Sequence, residues 1–146
     1  MIDKKWIGHE LSASVLPIEA SRLRFFAKAI GETDPVWTDV AVARDAGYAD
    51  LPAPPTFLFA AELDSGATDD LLARLDIPVA KLLHGEQGFS YHLPVCVGDT
   101  VTVRSRIEDI YDKKNGALEF VVKHSNAVNQ RGELVAEMRT VLVVKH

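Results

Sequence analysis

Apolar residues recur at Leu23, Phe26, Ala27 and Ile30, the i, i+3, i+4, i+7 spacing of one helical face. That spacing predicts a helix over Ser21 to Ile30, stopped by Gly31 as a C-terminal glycine stops one. A second short helix is expected from Thr38 to Ala46, with Thr38 or Asp39 as its N-cap and Gly47 as its end. Pro52, Pro54 and Pro55 then force an extended approach, because the residue before a proline is pushed out of the helical region. Pro55 can open the next helix at its first turn, where a missing N–H costs nothing. Phe57, Leu58, Phe59, Ala60, Ala61 and Leu63 follow, apolar almost all round, which marks a buried helix. It ends near Ser65-Gly66, and Thr68 to Leu75 reads as another short helix before Pro78.

Beyond Lys81 the period changes to two. His84 to Leu93 alternates through Phe89 and Tyr91. In Thr100 to Tyr111, Val101, Val103, Ser105 and Ile107 alternate with Thr102, Arg104, Arg106 and Glu108. Leu118 to Val128 and Leu134 to Val144 complete the set, joined by turns at Asn115-Gly116 and Asn129 to Gly132. With Trp6 to Leu11 as an N-terminal strand, the pattern predicts an α+β protein. Its curved antiparallel sheet of about five strands wraps a central apolar helix. No repeat, low-complexity tract or linker interrupts it, so residues 1–146 are expected to form a single domain.

Composition narrows the function classes. The chain is 47% hydrophobic and 25% charged, an ordinary globular balance. Its formal net charge of -5 and the lack of any Lys/Arg run argue against nucleic acid. Cys96 is the only cysteine, which leaves no intramolecular disulfide and no cysteine-based metal site. No apolar run approaches the roughly 20 residues of a membrane span, and MIDKKWIGHE has neither h-region nor cleavage site. The expectation is a cytoplasmic protein.

FAKAIGETDPVW, APPTF, HGEQGFSYHLPVCVGD and the closing TVLVV, in that order, resemble the MaoC-like hydratase/dehydratase family. Their likeness is to its N-terminal-type, FAS1-like dehydratase domains, and it runs from about Ile18 to Val144. The resemblance implies a hot-dog fold that acts on acyl thioesters of coenzyme A or acyl carrier protein. Such proteins hydrate a trans-2-enoyl thioester or dehydrate the (R)-3-hydroxyacyl form, with no metal or organic cofactor. The acyl tail would run along the central helix, and the pantetheine arm would enter at a dimer interface.

The chemistry needs a group to activate water, a group for the α-proton and donors for the thioester oxygen. The family's loop, Gly-Asp-x-Asn-Pro-x-His, places Glu32 on the aspartate, Asp34 on the asparagine, Pro35 on the proline and Trp37 on the histidine. An indole N–H donates only and does not titrate near neutrality, so Trp37 cannot replace the imidazole. Glu32 and Asp34 are therefore weak catalytic candidates, and equally fit an ordinary polar turn. At the helix start, Pro54 and Pro55 contribute no N–H, and the amides of Thr56 and Phe57 remain for a thioester carbonyl. Pro55, Thr56, Phe57, Phe59, His84 and Gly85 are the expected substrate-binding residues, with Phe57 and Phe59 setting the length of an apolar tunnel.

His84 and Glu86 form a second acid–base candidate. Two apart on a strand, they share a face and can equally just hydrogen-bond each other. His92 and His124 alternate with apolar neighbours and read as surface residues. No His/Asp/Glu set has metal spacing. The leading expectation is an acyl-thioester-binding subunit, incomplete alone, in a homodimer or in a heterodimer with a catalytic MaoC-like chain. A competent homodimeric enoyl-CoA hydratase is the first alternative. A hot-dog thioesterase is the second, with Glu62 activating water unless Glu62 is the helix's one exposed position. A non-enzymatic association module is the third, since fold alone does not choose among functions.

Overall fold

The computed structural model describes residues Met1 to His146. Its five strands are β1 (Ser14–Pro17), β2 (Leu82–Tyr91), β3 (Thr100–Lys113), β4 (Leu118–Val128) and β5 (Leu134–Lys145). They form one antiparallel sheet in the order β1-β3-β4-β5-β2. In β3 the expected stripe is the buried one: Val101, Val103, Ser105 and Ile107 face inward. A bulge between Ile107 and Asp109 then shifts the phase, so that Ile110 is also buried. Consecutive buried residues at Val121 to Lys123 and Thr140 to Val144 mark where both faces of the sheet are covered, because neighbours on a strand point to opposite faces.

Four α-helices precede or interrupt the sheet: α1 (Ala20–Ala29), α2 (Val40–Asp45), α3 (Ala60–Asp64) and α4 (Ala67–Arg74). Asp39 caps α2, its carboxylate accepting from the N–H of Ala41 at 2.8 Å and of Val42 at 3.3 Å. The central helix is a composite. Pro55–Phe59 is a tight 3-10 segment that runs into α3. Phe57, Leu58 and Ala61 from this composite pack with Leu16, Leu23, Val101, Val103, Ala136 and Met138 in the main core. A second core lies under α4, where Leu71 and Leu72 meet Ile107, Ile110, Val121, Leu142 and Val144.

Two expectations are corrected. Trp6 to Leu11 is not a strand: Lys4–Trp6 is a 3-10 turn and Gly8 adopts φ +84°. That left-handed conformation, open to glycine, breaks the extended run. The segment still tracks β3 through the N–H groups of Gly8 and Leu11, on the carbonyls of Ile107 and Ser105. The edge strand is Ser14–Pro17 instead, and Pro17, which cannot donate, ends it. The second correction concerns the central helix. Leu63 is 55% exposed whereas Glu62 is 1% exposed, so Glu62 is not its exposed position.

Gly85 sits at a bulge in β2, between His84 and Glu86. A Cβ there would lie 2.8 Å from Val143 Cγ2 and 3.2 Å from the Val141 carbonyl oxygen. The Gly85→Ala variant is therefore expected to lose about 1–3 kcal/mol in urea denaturation, the usual range for an overpacked contact. An unchanged midpoint would mean that β2 lifts away from β5 freely. No helix is long and apolar enough to cross a membrane.

Candidate functional site

A cavity of about 300 Å³ opens where three segments converge. Trp37 and Tyr48 form one side, and Pro52 to Pro55 with Leu58 form the floor. Tyr91, the last residue of β2, and His92, Leu93, Pro94 and Val95 just past it form the third wall. Local sequence explains each. Asp34 caps the turn Pro35–Trp37, its Oδ1 accepting from the Val36 N–H at 2.9 Å, and that turn carries Trp37 to the cavity. The prolines hold the approach to the central helix extended. The N–H groups of His92 and Leu93 bond to the Val135 carbonyl at 2.9 and 3.3 Å, which folds the end of β2 over the helix start.

The expected site residues do not all meet here. Trp37 and Pro55 line the cavity, while Glu32 and Asp34 are exposed and off its wall. The Asp34 carboxylate is engaged by its own turn, and Glu32 makes no side-chain hydrogen bond or ion pair. Of the two amides expected at the helix start, the Phe57 N–H bonds to the Pro54 carbonyl at 2.9 Å, which leaves that of Thr56. Phe57 is 2% exposed, edge-on to Phe26 at 5.3 Å, and belongs to the core. Phe59 stands apart, its ring 5.2 Å from that of His84.

His84 and Glu86 do not bond each other, because the bulge at Gly85 breaks the alternation that would align them. His84 Nε2 lies 3.2 Å from Gln87 Oε1, which also accepts from the Thr140 hydroxyl at 2.8 Å. Glu86 accepts from Arg139 at 2.8 Å. These residues lie outside the cavity wall.

Glu62 is held from the sheet. Its Oε1 accepts from the hydroxyls of Ser105 at 2.7 Å and Ser125 at 2.9 Å, and Lys123 Nζ donates to Oε2. Burial pushes its carboxyl up, yet the Lys123 ammonium and these hydrogen bonds outweigh it and leave the group below the ordinary carboxylate value. A carboxylate with three protein donors and almost no exposure has no room for the water that a thioesterase base must activate.

Tyr48, Tyr91 and His92 were not among the sequence candidates for this site, nor were Lys123 and Ser125 as partners of Glu62. A signal existed for the second group: Lys123 and Ser125 stand in phase with inward-facing Val121 on β4. None existed for the first, which meets only through the packing of three distant segments.

Residues 5–138 match the family model described as "FAS1-like, dehydratase domain region". A UPF0336 protein of Streptomyces avermitilis is 34% identical over 146 residues, covering 99% of this chain and 95% of the relative. The C-terminally truncated HadBC (3R-hydroxyacyl-ACP dehydratase) complex of Mycobacterium tuberculosis contains a similar chain. It aligns with TM-score 0.81 and 28% identity over 94% of this chain and 96% of that one. A MaoC-like dehydratase aligns with TM-score 0.83 and 21% identity, over 96% of this chain and 42% of that one. The sheet and its helices are thus those of the hot-dog dehydratases and hydratases.

Proposed function

This chain belongs to the FAS1-like dehydratase domain family, and on that premise we propose that it is an acyl-thioester-binding subunit unable to hydrate or dehydrate alone. One observation carries the reading: Trp37, at the loop position where the family's pattern has histidine, lies on the wall of the cavity at the helix start. The wall around it is largely apolar, with prolines where backbone donors would be needed. Such a surface suits an acyl chain and its thioester better than it suits proton transfer at the loop. The ligand class is a thioester of coenzyme A or acyl carrier protein, and the chemistry would come from a partner chain with an intact loop. The HadBC relative is itself a complex, which supports a paired assembly.

Calorimetry with crotonyl-CoA, alongside a hydratase assay on the same sample, tests the proposal. Binding without turnover is the expected outcome; no binding, or turnover by the purified chain, would reject it.

The partner contact is expected at β2. This ten-residue edge strand has an unpaired side and leaves Leu83 and Tyr91 46% and 48% exposed. The opposite edge, β1, is four residues long and ends in a proline, which makes it the weaker template. Light scattering at micromolar concentration should therefore give at least twice the 16.0 kDa of one chain. A monomer would remove the paired-assembly part of the reading.

A further inference from the structure

The outer face of the sheet carries two cations that the protein does not neutralise. In β3, Val103, Ser105 and Ile107 are buried, so the alternation turns Arg104 and Arg106 outward, away from the central helix. Two residues apart on one face, their backbones stand about 7 Å from each other, and the two charges repel. The register with β4 sets Asn126 directly opposite Arg104, and His124 directly opposite Arg106. These four side chains line one groove of about 380 Å³, with Glu10 and Leu11 of the N-terminal segment on its wall as well.

The chain has a net charge of -5 and could pair such arginines from its own acids. Arg22, Arg44, Arg131 and Arg139 each hold a carboxylate; Arg104 and Arg106 hold none. Nearby acids on this face are engaged elsewhere, Glu86 by Arg139 at 2.8 Å and Glu137 by His92 at 2.9 Å. Glu10 lies cross-strand from Arg106 and Glu108 sits in the bulge that follows, and neither forms an ion pair.

Guanidinium groups stay charged at any working pH and present a planar fork of N–H donors that matches phosphate oxygens. Two of them side by side complement a dianion, and the Asn126 amide and His124 ring on the facing strand add further polar contacts. The flanking carboxylates of Glu10, Glu86, Glu108 and Glu137 would repel a run of phosphates, which excludes a nucleic acid or a membrane surface. We infer that this groove binds a single phosphate group, free or as the monoester of a small molecule, held by Arg104 and Arg106. The groove shares no residue with the cavity at the helix start, so this ligand is separate from the thioester.

The test is calorimetric titration of the purified full chain with inorganic phosphate and, separately, glycerol 3-phosphate, with ionic strength held constant by sodium chloride. Wild type should bind phosphate saturably, and Arg104→Gln and Arg106→Gln should each weaken that binding about 10-fold, the factor for a hydrogen bond to a charged group. Arg131→Gln, which removes an arginine already paired with Glu133, should change nothing. Tighter binding of the ester would identify an organic phosphate as the ligand, and equal affinity would identify free phosphate; either upholds the groove. Arg104 and Arg106 are exposed, so both variants should fold, with a phosphate-free Tm at or above that of wild type once the repulsion is relieved. Phosphate should raise the wild-type Tm beyond the effect of chloride at equal ionic strength. The absence of saturable binding overturns the inference, as does affinity that neither Arg104→Gln nor Arg106→Gln changes. Equal weakening by Arg131→Gln also overturns it, by showing a general attraction of anions to positive charge.

Discussion

Replacing Glu62 by alanine should lower the stability of this protein by about 3–5 kcal/mol, the range for removing one partner of a buried ion pair. The variant would leave the Lys123 ammonium, whose side chain is 4% exposed, with no counter-charge, and Ser105 and Ser125 without their common acceptor. Removing the pair together, as Glu62→Leu with Lys123→Met, should recover most of that loss, because well-packed apolar residues replace buried ion pairs at little net cost. Urea denaturation of the wild type, Glu62→Leu, Lys123→Met and the double variant, alongside Glu62→Ala, measures this directly. Additive losses in the double variant would show that the two side chains act independently.

The same pair makes a prediction about acid. The folded state holds the Glu62 carboxyl below the 4.5 of an ordinary glutamate. A group depressed in this way contributes stability above its unfolded value, and the contribution disappears as pH falls through the lower folded value. Wild type should therefore lose stability on acidification below about pH 4.5 more steeply than Glu62→Leu/Lys123→Met. Parallel acid limbs would contradict the assignment.

The second large effect concerns the loop. Wild type is expected to hydrate crotonyl-CoA no faster than buffer, while Glu32→Asp, Asp34→Asn and Trp37→His together should restore turnover. General acid–base assistance contributes about 10²–10⁴-fold, so even partial recovery is measurable. The structure favours this design for two reasons. Residue 37 already faces the cavity, and asparagine at 34 keeps an oxygen to cap the turn as Asp34 does. A silent triple variant that still binds thioester would mean that the loop no longer presents residue 37 to the substrate. Wild-type turnover would instead locate a working base: loss on Glu32→Gln would implicate the loop, and loss on His84→Ala the second set.

The sequence alone determined most of the architecture. β4 runs from Leu118 to Val128, as the alternation predicts, and the boundaries of β3 and β5 differ from expectation by one or two residues. Alternation is a local property, and a period of two differs from 3.6 within a few residues. The loop motif was legible for the same reason, since Gly31 to Trp37 lie together in the chain.

What lay beyond the sequence depends on contacts between distant segments. Trp6 to Leu11 had a strand's pattern, but the positive φ of Gly8 and the register on β3 moved the edge strand to Ser14–Pro17. Whether Glu62 faced water or the core could not be read from its helix, where its neighbours on both sides are apolar. Its answer is 61 residues away, in Lys123 on β4, and a buried charge is tolerated only where such a partner is supplied. His92 joined the cavity for a related reason. The pairing of β2 with β5 brings its ring to Glu137 and its backbone to Val135, while the central helix sets Pro54 and Leu58 opposite. Side-chain periodicity specifies which face of an element is apolar; the register between elements decides which polar groups on those faces meet.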